Sequence, residues 1–425
     1  MPADRLYTLV VAFALLLGPM LRGDALRPQV TTSVTGPDSV VQWNRIARRT
    51  TITVAGLPAA HSLVYIAYAQ AAVYNAVAAI AGGYQQYEAN LARRPGASID
   101  AAVATAAHDV LAHYFPAQQA ALDADYATAL AAIPDGDAKT AGVEVGRQAA
   151  DAIIALRQDD GLEADIGFTM PAPGPGVWQL PPPQVPQTPW VSKLRPFLIE
   201  SPDQFRPGPP PELTSAEWAA EFNEVKTMGR LDSTYRTAEQ TTTALFWSVN
   251  PIMQSNTTLE NIALTRGLDA MQAARLFAMG DLVGADALIS CWDAKYTYLF
   301  WRPVFAIPQA DTDGNPDTVA DATWRPLLPT PNHPEYPSAH GCMTGSQAEV
   351  YSAFLGTNRI DVDIFATLSG QLVTHHFDRV VDLRQEIGDA RVWGGLHYRH
   401  ATVQGINTGR KVAHYALSRY FLPEN

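Results

Sequence analysis

The 425-residue sequence predicts an all-α fold. Apolar residues recur at helical rather than alternating spacing, and alanine-rich runs recur along the chain. Nearly half of the 32 prolines fall between residues 171 and 211, so that segment is expected to be irregular or polyproline-like rather than helical.

Met1 to Arg5, the apolar run Leu6 to Leu17 and Gly23-Asp24-Ala25 predict a signal peptide over residues 1–25. Residues 26–425 are then expected to form a single helical domain, secreted or periplasmic, without stable membrane insertion once the leader is removed. Helices are predicted at Ser62 to Ile80, Ile99 to Tyr114, Ala117 to Ile133 and Asp137 to Gln158. The first is apolar enough to invite a membrane reading, but Gln70 and Asn75 suit a tightly packed internal helix.

The Pro-rich segment 171–211 contains Trp178, Trp190, Phe197 and Phe205. Those side chains give it something to bury, so it is expected to be an ordered belt between two helical halves. Thr214 and Glu217 fit a capping box opening a helix over Ser215 to Met228. Later helices are predicted at Thr237 to Val249, Asn261 to Tyr298 with a break near Gly280, Gly341 to Phe354, Ile360 to Val380 and Gly395 to Tyr420. Asp311 to Asp317 places its glycine too early for a calcium loop and reads as a solvated turn.

A formal charge of −12 argues against a nucleic-acid or anionic-membrane surface. The two cysteines, Cys291 and Cys342, are too few for a disulfide scaffold; one bridge or two buried thiols are both open. No oligomeric state follows from the sequence.

Against this acidic background, three cationic blocks stand out at 292–303, 333–341 and 390–401. Lys295 and Arg302 are seven apart, a spacing that would put both on one helix face before Pro303 ends the helix. Pro337-Ser338-Ala339-His340-Gly341 leads straight into a helix, where backbone N–H groups favour an anion beside Ser338 and His340. Arg391 and His397 flank Gly394-Gly395, which would let an anion approach the backbone. Such a set suits a phosphate-shaped anion, with His340 as acid or base and His397 as nucleophile or metal ligand.

In order and spacing the blocks resemble the superfamily joining vanadium-dependent haloperoxidases with type 2 phosphatidic acid phosphatases. Segments outside the motifs, among them Ser201 to Pro207 and His333-Pro334-Glu335-Tyr336, resemble its soluble, bacterial-type haloperoxidase branch. The resemblance implies vanadate held by Lys295, Arg302, Ser338, the Ala339 N–H and Arg391, with His397 bonded to vanadium. It further implies hydrogen peroxide, a halide and a small organic acceptor as reactants, with His340 helping to take the peroxide proton. Haem, flavin and calcium are not expected.

Three positions depart from the pattern. Ala339 stands for Gly, Ala390 for Ser and Ala401 for Asp. The Asp supports the histidine nucleophile in the phosphatases, so Ala401 points toward the haloperoxidase; Asp378, Asp382 or Asp389 could stand in for it. Trp292 matches the chloroperoxidase type and His333 the bromoperoxidase type, and an ionisable His333 tips the expectation toward bromide or iodide. The alternatives are a soluble acid phosphatase and a non-catalytic anion-binding member.

Overall fold

The computed structural model describes residues 36–424, so the signal-peptide reading of residues 1–25 lies outside the described residues. Helix α1 (Asp38–Arg48) runs on as a π-helical turn over Arg49–Val54, and neither was foreseen. Helix α2 (Ala59–Ala81) is long and apolar enough to cross a membrane, yet that apolar stretch is wholly buried within the protein. It is the packed internal helix that Gln70 and Asn75 predict; Asn75 bonds the Tyr87 backbone through both its amide atoms.

Helix α3 (Ile99–Tyr114) is capped by Ser98, and α4 (Gln119–Ala131) and α5 (Asp137–Leu156) complete the first half. Close approach of α5 to α3 requires Gly146, where a Cβ would sit 2.5 Å from the Ala102 carbonyl oxygen.

The Pro-rich segment is an ordered belt, with Trp178, Trp190 and Phe197 buried. One buried carboxylate explains much of that order, because Asp286 accepts the backbone N–H groups of Phe197, Leu198 and Ile199 at 2.6–2.9 Å. Beyond the belt, α6 (Ala216–Met228) is capped by Ser215 rather than by the predicted Thr214 box. Helix α7 (Ala238–Phe246) carries a capping box of Thr237 and Gln240.

The break expected near Gly280 lies earlier, between α8 (Pro251–Thr265) and α9 (Ala270–Tyr298). Gly267 takes φ 60° there and Asp269 caps the new helix with Gln272. Gly280 instead lets α8 approach, since a Cβ on it would lie 2.5 Å from Leu259. Helix α9 packs against α2, α11 (Ala339–Leu355) and α13 (Arg399–Leu417), and a one-turn helix α10 (Pro303–Ala306) follows it.

Where a helix was expected over Ile360 to Val380, residues 359–379 form an antiparallel hairpin, β1 (Arg359–Leu368) and β2 (Gln371–Arg379). Ile360, Val362, Ile364 and Ala366 alternate onto the core, and Ser369-Gly370 turn with positive φ at both residues. Period-2 burial and β-branched residues override the helical reading. Helix α12 (Val380–Trp393) follows and was not foreseen. The Asp311–Asp317 turn is solvated along most of its length, as expected, and is anchored by two buried residues: Asp313 accepts from the Trp218 indole and Asn315 donates to the Leu213 and Ser215 carbonyls.

Candidate active site

The three cationic blocks converge, although not all in the local geometry their spacing suggests. Trp292 and Lys295 lie one turn apart at the end of α9, which stops at Tyr298 with Leu299 in the left-handed region. Arg302 therefore lies beyond that helix and enters from the loop before α10, not from the same helix face. Ser338 is the N-cap of α11, its Oγ accepting the Gly341 N–H at 3.2 Å. Arg391 projects from α12, while His397 lies in the turn between α12 and α13.

The glycines in that turn serve packing rather than anion approach. Gly395 has φ 74°, and a Cβ there would sit 2.4 Å from the Gly229 carbonyl oxygen. On Gly394 it would lie 2.7 Å from Leu328.

Lys295, Arg302 and Ser338 are wholly buried. The Lys295 ammonium donates to the carbonyls of Pro334, Glu335 and Pro337, at 2.8 and 2.9 Å for the first two. Arg302 donates to His333 O (3.1 Å), Leu396 O (2.9 Å), His333 Nδ1 (3.0 Å) and His397 Nε2 (3.2 Å). Arg391 donates to Trp247 O at 2.7 Å, and its Nε has no partner among the described residues. His340 Nε2 is equally unpartnered.

Burial pushes Lys295 down to about 8, Arg302 to about 10 and Arg391 to about 9. Burial and the neighbouring cations together hold His333, His340 and His397 well below the ordinary histidine value, so all three are neutral at pH 7.

Sequence reasoning missed the role of Glu335. Its Oε1 accepts His397 Nδ1 at 2.8 Å and the Tyr398 N–H at 3.1 Å, and the carboxylate is wholly buried. Asp378, Asp382 and Asp389 are engaged elsewhere, with His376, Arg379 and Arg399 respectively. Glu335 thus fills the supporting role for which Ala401 lacks a carboxylate. With Arg302 donating to Nε2 and Glu335 accepting from Nδ1, His397 is the Nδ1–H tautomer, and its Nε2 lone pair faces the Arg302 guanidinium.

Trp292 and His333 form one wall, ring centroids 5.1 Å apart, and Trp292 is fixed by Thr188 Oγ1 at 3.1 Å. His333 accepts from Arg302 and is neutral, so the ionisable group expected beside the anion is absent. Cys291 and Cys342 are buried free thiols.

A cavity of about 170 Å³ adjoins these groups, lined by Trp292, His333, Ala339, His340, Arg391 and His397 and, across from the motif blocks in sequence, by Ala59 and Ala60. The donor set fits a tetrahedral oxyanion. Three buried cations face one carboxylate, the Ala339 N–H at the start of α11 has no intrahelical partner, and Arg391 Nε is open.

Residues 275–422 match the family profile described as the VCPO second helical-bundle domain. The chain is 25% identical over 351 residues to the vanadium chloroperoxidase of Curvularia inaequalis, covering 62% of this chain and 57% of that protein. It spans, then, little more than half the length of that curated relative. Among solved structures, a bacterial vanadium-dependent iodoperoxidase superimposes with a TM-score of 0.78 at 23% identity, over 92% of this chain and 98% of the other. A holo-type bacterial vanadium-dependent chloroperoxidase gives 0.73 at 17% identity, with the same coverage of each chain. These two likenesses establish a shared fold. The profile match covers the segment that carries all three cationic blocks, so the chain resembles the vanadium haloperoxidases there and in its fold.

Proposed function

We propose that this protein is a vanadate-dependent haloperoxidase that oxidises bromide or iodide with hydrogen peroxide to hypohalous acid. One observation carries the reading: His397 is held by Glu335 with its Nε2 lone pair inside a ring of three buried cations. A metal-ligating histidine needs this arrangement, because a carboxylate on the far nitrogen fixes the tautomer and raises the basicity of the near one.

Arg391, the Ala339 N–H, Ser338 and His397 would hold the oxyanion directly. Lys295 and Arg302, whose N–H groups largely serve carbonyls, would contribute mainly their field. Bound vanadate supplies Lewis-acid activation of peroxide without a change of metal oxidation state. His340, neutral, lining the cavity and with Nε2 unpartnered, is placed to accept the proton that peroxide must lose. Apart from Gln187, the rest of the cavity is lined by apolar Ala59, Ala60, Pro251, Leu288 and Pro331, which favours larger, weakly hydrated halides.

The Glu335–His397 pair also favours a second reading, a phosphatase with a histidine nucleophile, because it removes the objection that Ala401 raises. A paired assay separates the two: peroxide- and bromide-dependent halogenation of a phenolic acceptor with and without orthovanadate, against hydrolysis of a simple phosphomonoester. Vanadate-dependent halogenation supports the first reading, and phosphate release without it establishes the second.

A further inference from the structure

The oxyanion cradle leaves two nucleophilic side chains beside it without a role. Cys291 lies one turn before Lys295 on α9 and Cys342 one turn after Ser338 on α11, and both are wholly buried. The two helices approach closely, since a Cβ on Gly284 of α9 would sit 3.0 Å from the Met343 side chain of α11. Cys291 Sγ donates to the Pro337 carbonyl at 3.7 Å, and the same carbonyl accepts from the Lys295 ammonium. The Cys291 sulfur in turn takes a hydrogen bond from the Cys342 thiol, so the pair meets at the edge of the cradle.

The surroundings set the two sulfurs apart. Burial opposes ionisation of Cys291, but the Cys342 hydrogen bond and the Lys295 and Arg302 charges outweigh it and bring the thiol below its ordinary value. Burial, and then donation to Cys291, hold Cys342 well above that value. A nucleophilic thiol beside a proton-bearing one suits attack on an electrophilic oxygen followed by closure of a disulfide. Hydrogen peroxide is small enough to be that electrophile. The adjoining cavity is lined by Leu288 and Trp292, which flank Cys291 on α9, and by Ala339, three residues before Cys342.

We propose that Cys291 and Cys342 are a peroxide-oxidised thiol pair whose disulfide spares the cradle a permanent negative charge. In the first step an S–O bond forms at Cys291, the O–O bond breaks, and the departing hydroxide takes the thiol proton and leaves as water. The Cys342 sulfur then displaces the sulfenic hydroxyl, which leaves as a second water with the Cys342 proton. One peroxide is reduced and two thiols are oxidised. The disulfide is neutral and reducible, whereas a lone Cys291 would go on to sulfinate or sulfonate, a fixed anion beside Lys295 where the oxyanion must bind. The haloperoxidase reading enters only as the source of the peroxide.

Wild-type protein is incubated with hydrogen peroxide without vanadate or halide, then denatured, alkylated and mapped by mass spectrometry. A Cys291–Cys342 cross-linked peptide that reverts on reduction is expected. Two alkylatable cysteines after that exposure, or a wild-type chain carrying Cys291 sulfonate, overturn the pair. In Cys342→Ser a dimedone probe should label Cys291, while in Cys291→Ser it should leave Cys342 unlabelled; the reverse pattern overturns Cys291 as the nucleophile. Thermal melts check that both variants fold. After prolonged exposure and removal of peroxide, Cys342→Ser should bind orthovanadate about tenfold or more weakly than before, and the wild type should stay within about twofold of its untreated affinity. Equal retention in both overturns the protective role. Untreated wild-type protein that oxidises no halide when loaded with vanadate overturns the haloperoxidase reading, and the peptide map still decides the pair.

Discussion

The Nδ1 of His397 lies 2.8 Å from Oε1 of Glu335, a contact between residues 62 apart in sequence and both wholly or almost wholly buried. The same oxygen accepts the Tyr398 N–H, so Glu335 fixes the ring and the backbone beside it at once. Burial holds the carboxyl up at about 7, against the pull of Arg302 and Lys295.

Removal of that carboxylate should cost cofactor affinity before it costs the fold. Glu335→Ala is expected to weaken orthovanadate binding by about 10- to 100-fold, the usual effect of losing a histidine's outer partner. Glu335→Gln keeps an acceptor for Nδ1–H and should lose about tenfold or less. Calorimetric titration with orthovanadate measures both, and equal losses in the two variants would mean that charge rather than orientation matters.

What the sequence revealed and what it hid follow from where each signal resides. Lys295, Arg302, Ser338, His340, Arg391 and His397 are legible because each sits in a short block with its own pattern. Glu335 lies inside one such block, yet its partner is in another, and only the folded turn between α12 and α13 brings them together. The helices predicted on alanine-rich runs are present because their burial is nearly all-round, as in α2. The hairpin was misread because Ile-Asp-Val-Asp-Ile-Phe-Ala also places apolar residues at i and i+4, and the deciding signal was Ser369-Gly370. The seven-residue spacing of Lys295 and Arg302 misled in another way: it brings the cations together through a chain reversal at Leu299 rather than through helical phase.

Placement of His340 depends on how closely α13 packs against α11. A Cβ on Gly409 would sit 2.0 Å from the Cys342 carbonyl oxygen, and one on Gly405 2.5 Å from that of Ser338. Backbone on both sides cannot yield as a flexible side chain would. Gly409→Ala should therefore cost about 3 kcal/mol or more in urea denaturation and weaken vanadate binding as α11 shifts. Gly208→Ala, where a Cβ meets nothing within 4 Å, is the control and should stay within about 0.5 kcal/mol.

The hairpin turn offers a gain instead of a loss. Ser369 and Gly370 have φ 49° and 79°, the conformation in which Asn-Gly is preferred. Ser369→Asn should stabilise the protein by about 0.5 kcal/mol, and Gly370→Ala should cost about 1 kcal/mol because an L side chain resists that φ. Hydrogen exchange at the β1 and β2 amides reads the change where it is made; slower exchange in Gly370→Ala would contradict the turn assignment.

Asp281 makes the stability of α9 depend on pH. It is wholly buried, with Oδ1 accepting from Asn256 at 2.8 Å and Oδ2 unpartnered among the described residues. Burial raises its pKa to about 7, with Asn256 and Arg48 offsetting only part of the effect. Below about pH 4 the carboxyl is protonated in both folded and unfolded chains. Between about pH 4 and 7 the unfolded chain releases its proton while the folded one holds it, so this residue's contribution falls as pH rises and levels off above about 7. The roughly three-unit difference corresponds to a loss of order 4 kcal/mol. Asp281→Asn keeps the acceptor for Asn256 but cannot ionise. Its urea midpoint should diverge from that of the wild type with rising pH, the variant being the more stable at pH 8 and the two closest near pH 4. Parallel curves across that range would show that Asp281 is ionised in the folded protein and stabilised there by Arg48.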